Sequence, residues 1–223
     1  MSIKKYNYSG EIKTIAEEDK YSAKEAQEFW KNPVVSEGKE FEKNSPEDYL
    51  SFTDNRSPVL HEIIKKFLEN KDSKILELGP NAGRNLNYLY QNGYQNVHGI
   101  EINPSAVSLL AESFPEISGN IKLASLEDAL PDILDKSYDL VFSMAVLEHV
   151  STESDSIFED IKRISSGYIL TIEDEVTSWS ERHFQRNYKE VFESAEWKEV
   201  FSANCTQYDC LDDRFFIRVF KRV

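Results

Sequence analysis

The chain holds only two cysteines among its 223 residues, Cys205 and Cys210. Their spacing fits neither a zinc-ligand pair nor a redox pair, so both are read as incidental thiols of a reducing compartment. No apolar run approaches the roughly 20 residues that cross a bilayer. Behind Lys4 and Lys5 there is no apolar segment of the kind a secretory leader carries. The expected location is cytoplasmic, with no membrane partner. Basic residues are scarce too: 26 Lys and Arg face 40 Asp and Glu, a formal net charge of −14. Affinity for nucleic acid comes largely from cations that neutralise phosphates, so no DNA or RNA partner is expected. Two phosphate-binding signatures are also missing. A Walker loop needs Gly-Lys-Ser/Thr, and a dinucleotide loop needs Gly-x-Gly-x-x-Gly; neither occurs.

What is present lies between Lys74 and Glu101. Ile75 to Leu78 is a short apolar run that stops at Gly79, which reads as a buried strand ending in a turn. Leu86, Leu89 and Tyr90 then recur at helical spacing, and Gly93 closes that helix. A second strand, Val97 to Ile100, ends in the acidic Glu101. Strand, glycine turn, helix, strand and acid place a ribose-bearing cofactor at the carboxyl end of a parallel sheet. In the turn Gly79-Pro80-Asn81-Ala82-Gly83-Arg84, Asn81 occupies the position where a second glycine would let backbone approach a pyrophosphate. A nucleoside joined to an amino acid, without phosphates, tolerates such a loop, and that points to S-adenosylmethionine.

At these residues the chain resembles the class I S-adenosylmethionine-dependent methyltransferases, strongly over about Lys74 to Val150 and loosely beyond. Glu77-Leu-Gly-Pro-Asn-Ala-Gly83 is similar to the family's first motif, E-x-G-x-x-x-G. The resemblance implies that Glu77, Gly79, Asn81 and Gly83 border the methionine part of the cofactor. It implies that Glu101, followed by Ile102, binds the ribose diol, since one carboxylate accepts hydrogen bonds from both hydroxyls. Ser125 and Leu126 fall where the family surrounds adenine. Tyr138 to His149 is similar to the fourth-strand motif, after which Ser143, Met144 and His149 face cofactor and substrate. The implied fold is a three-layer α/β, Rossmann-like sheet of seven mostly parallel strands in the order 3-2-1-4-5-7-6, with the C-terminal strand antiparallel.

The rest of the chain fits that frame. Residues 1–55 lie outside the repeating pattern and are read as an N-terminal extension or lid, ahead of a cofactor domain at 56–223. Tyr21 to Lys31 reads as a helix stopped before Pro33, and Gly38 and Pro46 break the stretch that follows. Ser57 is expected to cap a helix that has Pro58 in its first position. Further strands are expected at Ile121 to Ala124, Tyr138 to Met144 and Gly167 to Ile172. Ile157, Ile161 and Ile164 mark a helix, and Phe192 to Trp197 is expected to form the end of another. A hairpin from about Glu199 to Ala203 and Phe215 to Lys221 closes the sheet edge.

Methyl transfer from a sulfonium is an in-line displacement, so alignment supplies much of the catalysis. His149, just past the fourth strand, is the candidate base, with a turn-capping role as the alternative. Glu173, Asp174 and Glu175 together with His183 could grip a cation, but adjacent carboxylates diverge and no H-x-x-x-H spacing supports them, so no metal centre is expected. Arg182-His-Phe-Gln-Arg-Asn-Tyr188 mixes cations and aromatics where acceptor specificity resides; His183, Arg186 and Tyr188 are substrate candidates, with a plain charged surface helix as the alternative. Tyr21 and Trp30 are candidate covers, and Arg56 a partner for the cofactor carboxylate. The expected activity is methylation of an oxygen or nitrogen on a small polar metabolite, a sugar or phosphorylated precursor among them. A protein methyltransferase and a non-catalytic cofactor-binding module are the alternatives.

Overall fold

Two apolar runs lie side by side at the centre of the sheet because neither has a polar face to give to solvent. The computed structural model describes residues 15–33, 45–51 and 55–223. In it, β1 (Ile75–Leu78) pairs in parallel with β4 (Tyr138–Met144), Ile75 opposite Leu140 and Leu78 opposite Ser143. The other strands are β2 (Val97–Glu101), β3 (Ile121–Leu123), β5 (Ser165–Asp174), β6 (Trp197–Asn204) and β7 (Phe215–Arg222). They form one seven-stranded sheet in the order β3-β2-β1-β4-β5-β7-β6. β7 runs antiparallel to both β5 and β6, so the order and the terminal hairpin expected from the motifs are found.

Helices cover both faces. α1 (Ala23–Lys31) and α2 (Pro46–Ser51) precede the sheet; α3 (Arg56–Phe67), α4 (Arg84–Gln91), α5 (Pro104–Ser113) and α6 (Pro115–Ser118) follow in order. Then come α7 (Leu126–Ala129), α8 (Ile157–Ile164) and α9 (Tyr188–Phe192). Alternation along β1 divides the core. Ile75 joins Leu60, Ile63 and Ile64 of α3 and Leu86 and Leu89 of α4 on one side. Leu76 and Leu78 join Leu126, Ile157, Ile161 and Phe192 on the other. Three layers result, as expected for helices on both faces of a parallel sheet.

Three local expectations need correction. α3 starts at Arg56, so Ser57 lies inside its first turn and does not cap it. Its hydroxyl turns inward and donates to Asn85 Oδ1 at 2.7 Å. α1 begins at Ala23, because Ser22 and Glu25 close a capping box there and leave Tyr21 outside the helix. No helix reaches Trp197: α9 stops at Phe192, and the indole of Trp197, buried at the start of β6, opens the strand instead. The expected break at Gly38 and the lysines near the start lie outside the described residues.

The segment before α1 is tied to the loop after β5. Lys20 Nζ donates to Ser178 Oγ at 2.6 Å, to the Ser180 carbonyl at 2.9 Å and to the His183 carbonyl at 2.6 Å. The Tyr21 N–H donates to the Glu181 carbonyl. These bonds place α1 over the carboxyl ends of the strands, where the candidate site lies.

Gly83, with φ of 80°, caps α4, and a Cβ there would lie 2.6 Å from Leu110 Cδ1. Gly83→Ala is expected to cost about 1–3 kcal/mol in urea unfolding, from left-handed strain plus overpacking. Gly119→Ala, where a Cβ would meet nothing within 4 Å, is expected to stay within about 0.5 kcal/mol of the parent.

Candidate functional site

The turn between β1 and α4 places three residues of five in the left-handed region: Gly79 (φ 66°), Asn81 (φ 50°) and Gly83 (φ 80°). Asn is the non-glycine residue that best tolerates this conformation, and its Oδ1 accepts from the Ala82 N–H at 2.8 Å. At Gly79 a Cβ would come within 2.7 Å of a Val146 methyl, so the turn lies directly against the loop after β4. The Asn81 N–H donates to Glu101 Oε2 at 2.7 Å, and the Asn103 N–H to Glu101 Oε1 at 2.8 Å. Glu101 is only 6% exposed, and that burial raises its pKa against the opposing pull of the N–H groups. Each of its oxygens keeps a further lone pair for a ligand diol.

A second buried carboxylate lies beside the turn. Glu77, on β1, is 2% exposed, and its Oε1 accepts from Asn85 Nδ2 at 2.8 Å. Its Oε2 has no hydrogen-bond partner among the described residues. Burial pushes its pKa up to about 8. A buried polar oxygen left unmade is costly, so this atom marks a place where a ligand donor belongs.

Glu77, Gly79, Asn81, Glu101, Ile102, Leu126, Met144, Arg56 and His149 all border one cleft of about 1200 Å3, counting the space open to solvent. Ile102, Ala124 and Leu126 form its apolar end beyond Glu101. Gly83 lies at the base of the loop as the cap of α4, its added Cβ position filled by Leu110. Ser125 is adjacent, but its Oγ accepts from the Asp128 N–H and caps α7. Ser143 is buried in β4 with its hydroxyl toward Glu173.

At the other end of the cleft lies His149. Its Nδ1–H donates to the Arg182 carbonyl at 3.1 Å, which leaves Nε2 with the lone pair, 3.5 Å from Glu148 Oε1. The Trp30 ring packs 4.5 Å from the imidazole, centroid to centroid, and His183 packs 4.6 Å away on another side. Burial lowers the His149 pKa to about 3 and that of His183 further, so both are neutral near pH 7. Behind them Glu148, Glu173 and Asp174 are buried together. Glu173 accepts from the Val146 and Glu148 N–H groups, and Glu148 Oε2 accepts from the Asp174 N–H. Burial raises both glutamates, Glu173 to about 7. The trio Glu173, Asp174 and Glu175 does diverge: Asp174 accepts from the Val176 and Thr177 N–H groups, and Glu175 pairs with Arg218 at 2.6 Å.

Several substrate candidates do not border the cleft. Arg186 is spent on Asp155 at 2.6 Å and on the Leu147 and Phe184 carbonyls, with Phe158 beneath its guanidinium. Tyr188 is wholly buried between Phe158 and Phe192. Tyr21 borders a shallow outer groove with Glu25 and Phe29. His183 reaches the site through its contact with His149. The segment 182–188 is thus largely interior rather than a charged surface helix. Sequence reasoning missed Tyr49, Asn85 and Asn103, all of which border the cleft. Asn85 stands eight residues after Glu77, and the first helical turn after a glycine loop was the signal available for it.

The sheet order, the acid closing β2 and the left-handed glycine turn are those that the resemblance to the class I methyltransferases implied. Residues 76–170, under half of the chain, match the family model described as a methyltransferase domain. No curated protein matches the chain in sequence. Solved structures of similar fold include an S-adenosylmethionine-dependent methyltransferase from Aquifex aeolicus (16% identity, TM-score 0.58, 79% of this chain and 97% of that one). Another is magnesium protoporphyrin IX methyltransferase from Synechocystis with its cofactor bound (14%, 0.57, 75% and 79%). A third is an S-adenosylmethionine-dependent methyltransferase from Mesorhizobium loti (13%, 0.58, 74% and 96%). At these identities the likeness is one of fold.

Two measurements probe the cleft. Glu101→Ala is expected to weaken binding of S-adenosylhomocysteine by about 1–3 kcal/mol in calorimetry, as when hydrogen bonds to a charged group are lost. For Glu77 the folded pKa lies above the unfolded one, so the folded state holds the extra proton between them. Its contribution to stability therefore declines as pH rises from about 5 to about 8 and levels off above. Glu77→Gln is expected to flatten that part of the decline in urea midpoints measured across the window.

Proposed function

We propose that this chain methylates an oxygen or nitrogen of a small polar acceptor, held where the cleft meets His149, Trp30 and Tyr49. The contact of Trp30 with His149 carries the reading: an N-terminal aromatic closes the far end of the cofactor cleft over the candidate catalytic imidazole. Residues 1–55 act in this reading as a lid over the cofactor domain at 56–223. A walled space suits a small molecule better than a protein segment, which needs an exposed apolar rim. None of the large exposed hydrophobics among the described residues, Leu123, Leu134, Val176, Val200 and Val223, lines the cleft. A cofactor sensor needs no acceptor-facing imidazole in the same space, whereas His149 and Trp30 line this cleft together with Glu77 and Met144.

The bound cofactor supplies an electrophilic methyl on its sulfonium. Glu101 takes the ribose diol between the N–H groups it already holds, Glu77 Oε2 takes the ammonium of the amino-acid tail, and Arg56 takes the tail carboxylate. Ile102 and Leu126 would offer adenine an apolar surface. His149 orients the acceptor through Nε2. A base of pKa about 3 does not ionise an alcohol ahead of transfer, so it accepts the proton only as the new bond forms. Alignment and exclusion of water by Trp30 and Tyr49 carry the remainder. Because Arg186 is committed to Asp155, a phosphorylated acceptor loses the clamp expected for it, and a hydroxylated compound such as a sugar is the favoured acceptor.

The test is formation of S-adenosylhomocysteine when the protein meets S-adenosylmethionine and a panel of small hydroxylated and amino compounds. Trp30→Ala is expected to lower kcat/KM at least about tenfold while the affinity for S-adenosylhomocysteine moves less than about threefold. Turnover confined to protein substrates would contradict the proposal.

A further inference from the structure

Three donor residues of metal-binding type meet beneath the cleft. One atom from each of Glu148, His149 and His183 lies within 4.8 Å of the other two. The second atom of each donor is already held by the protein. Glu148 Oε2 accepts from the Asp174 N–H, His149 Nδ1–H donates to the Arg182 carbonyl, and His183 Nδ1 shares a 2.6 Å hydrogen bond with Ser180 Oγ. The Arg182 carbonyl leaves the lone pair on His149 Nε2, and an Nδ1–H of His183 donating to Ser180 Oγ leaves it on His183 Nε2 as well. Such outer hydrogen bonds fix tautomer and ring orientation in metal sites.

We propose that Glu148, His149 and His183 form a binding site for one divalent transition-metal ion, of the zinc, cobalt or manganese type. Two imidazoles and one carboxylate suit first-row ions and leave coordination positions open for a substrate. The spacing is nearly formed: ligand atoms about 2.05 Å from a tetrahedral ion stand about 3.3 Å apart, and His149 Nε2 and Glu148 Oε1 are 3.5 Å apart already. The remaining closure is a shift of His183, whose ring lies 4.6 Å from that of His149 between centroids and whose ligand atom lies within 4.8 Å of the other two. The ion would enter through the cleft, since His149 forms part of its wall.

The metal site stands on these contacts alone; its consequence for the acceptor rests on the methyl-transfer reading. A bound ion turns His149 from a hydrogen-bond acceptor into a ligand, and the acceptor hydroxyl takes an open position on the ion. Coordination lowers the hydroxyl pKa, and its proton leaves to water. The oxygen then bonds the methyl carbon as the carbon–sulfur bond breaks and its electron pair returns to sulfur, giving a neutral thioether. The acceptor class narrows to hydroxylated compounds, and the weakness of His149 as a base ceases to matter.

Titration of the full chain, first stripped with chelator, with Co2+ tests the site through its visible absorption, followed by competition with Zn2+. One saturating equivalent is expected, and His183→Ala and Glu148→Gln are each expected to weaken it at least about tenfold. Glu148→Gln keeps an oxygen acceptor for the Asp174 N–H, so the test holds even where His183→Ala fails to fold. Affinity for S-adenosylhomocysteine should change less than about threefold in both variants, which separates loss of the metal site from failure of the methyltransferase reading. No saturable Co2+ binding, or binding unchanged by Glu148→Gln, overturns the proposal. So does Co2+ absorption that disappears in Cys205→Ser.

Discussion

The cleft depends on one buried carboxylate held by backbone N–H groups. Glu101 is stabilised by backbone donors at either side, the Asn81 N–H from the turn after β1 and the Asn103 N–H from the turn after β2. A buried charge without such partners would cost several kcal/mol, so the two turns must stay where they are for Glu101 to remain at the cleft. The same bonds hold Asn81 in its left-handed conformation and keep the glycine turn open.

A neutral counterpart reaches the site from the opposite side. Ser57 of α3 donates to Asn85 of α4, and Asn85 donates to Glu77 of β1. This chain of hydrogen bonds joins two helices to the central strand and stops at an oxygen left for a ligand. At the far end, Lys20 straps the N-terminal segment to the loop carrying Ser178, Ser180 and His183. Trp30 and His149 thus meet through a contact made by two distant parts of the chain, 119 residues apart in sequence.

The parts legible in sequence were those governed by short periods and by turn chemistry. Apolar runs at Ile75–Leu78 and Tyr138–Met144 read as central strands of an α/β sheet, and Gly79, Gly83 and Glu101 announce a ligand turn. Resemblance to the methyltransferases supplied the strand order. What stayed hidden depended on partners remote in sequence. Nothing near Arg186 shows that Asp155 will claim its guanidinium, or that Phe158 and Phe192 will enclose Tyr188. Ser57 has every local mark of a cap, yet Asn85, 28 positions on, offers it a buried partner. Glu148 and His183 come together with His149 only because the loop after β5 folds back beneath α1.

A crystal structure of the chain with S-adenosylhomocysteine bound tests the central claim most directly. The account predicts both ribose hydroxyls within hydrogen-bonding distance of the Glu101 carboxylate, with the amino-acid tail against Glu77 Oε2. A nucleoside seated elsewhere, or Glu101 turned away from the sugar, would contradict it.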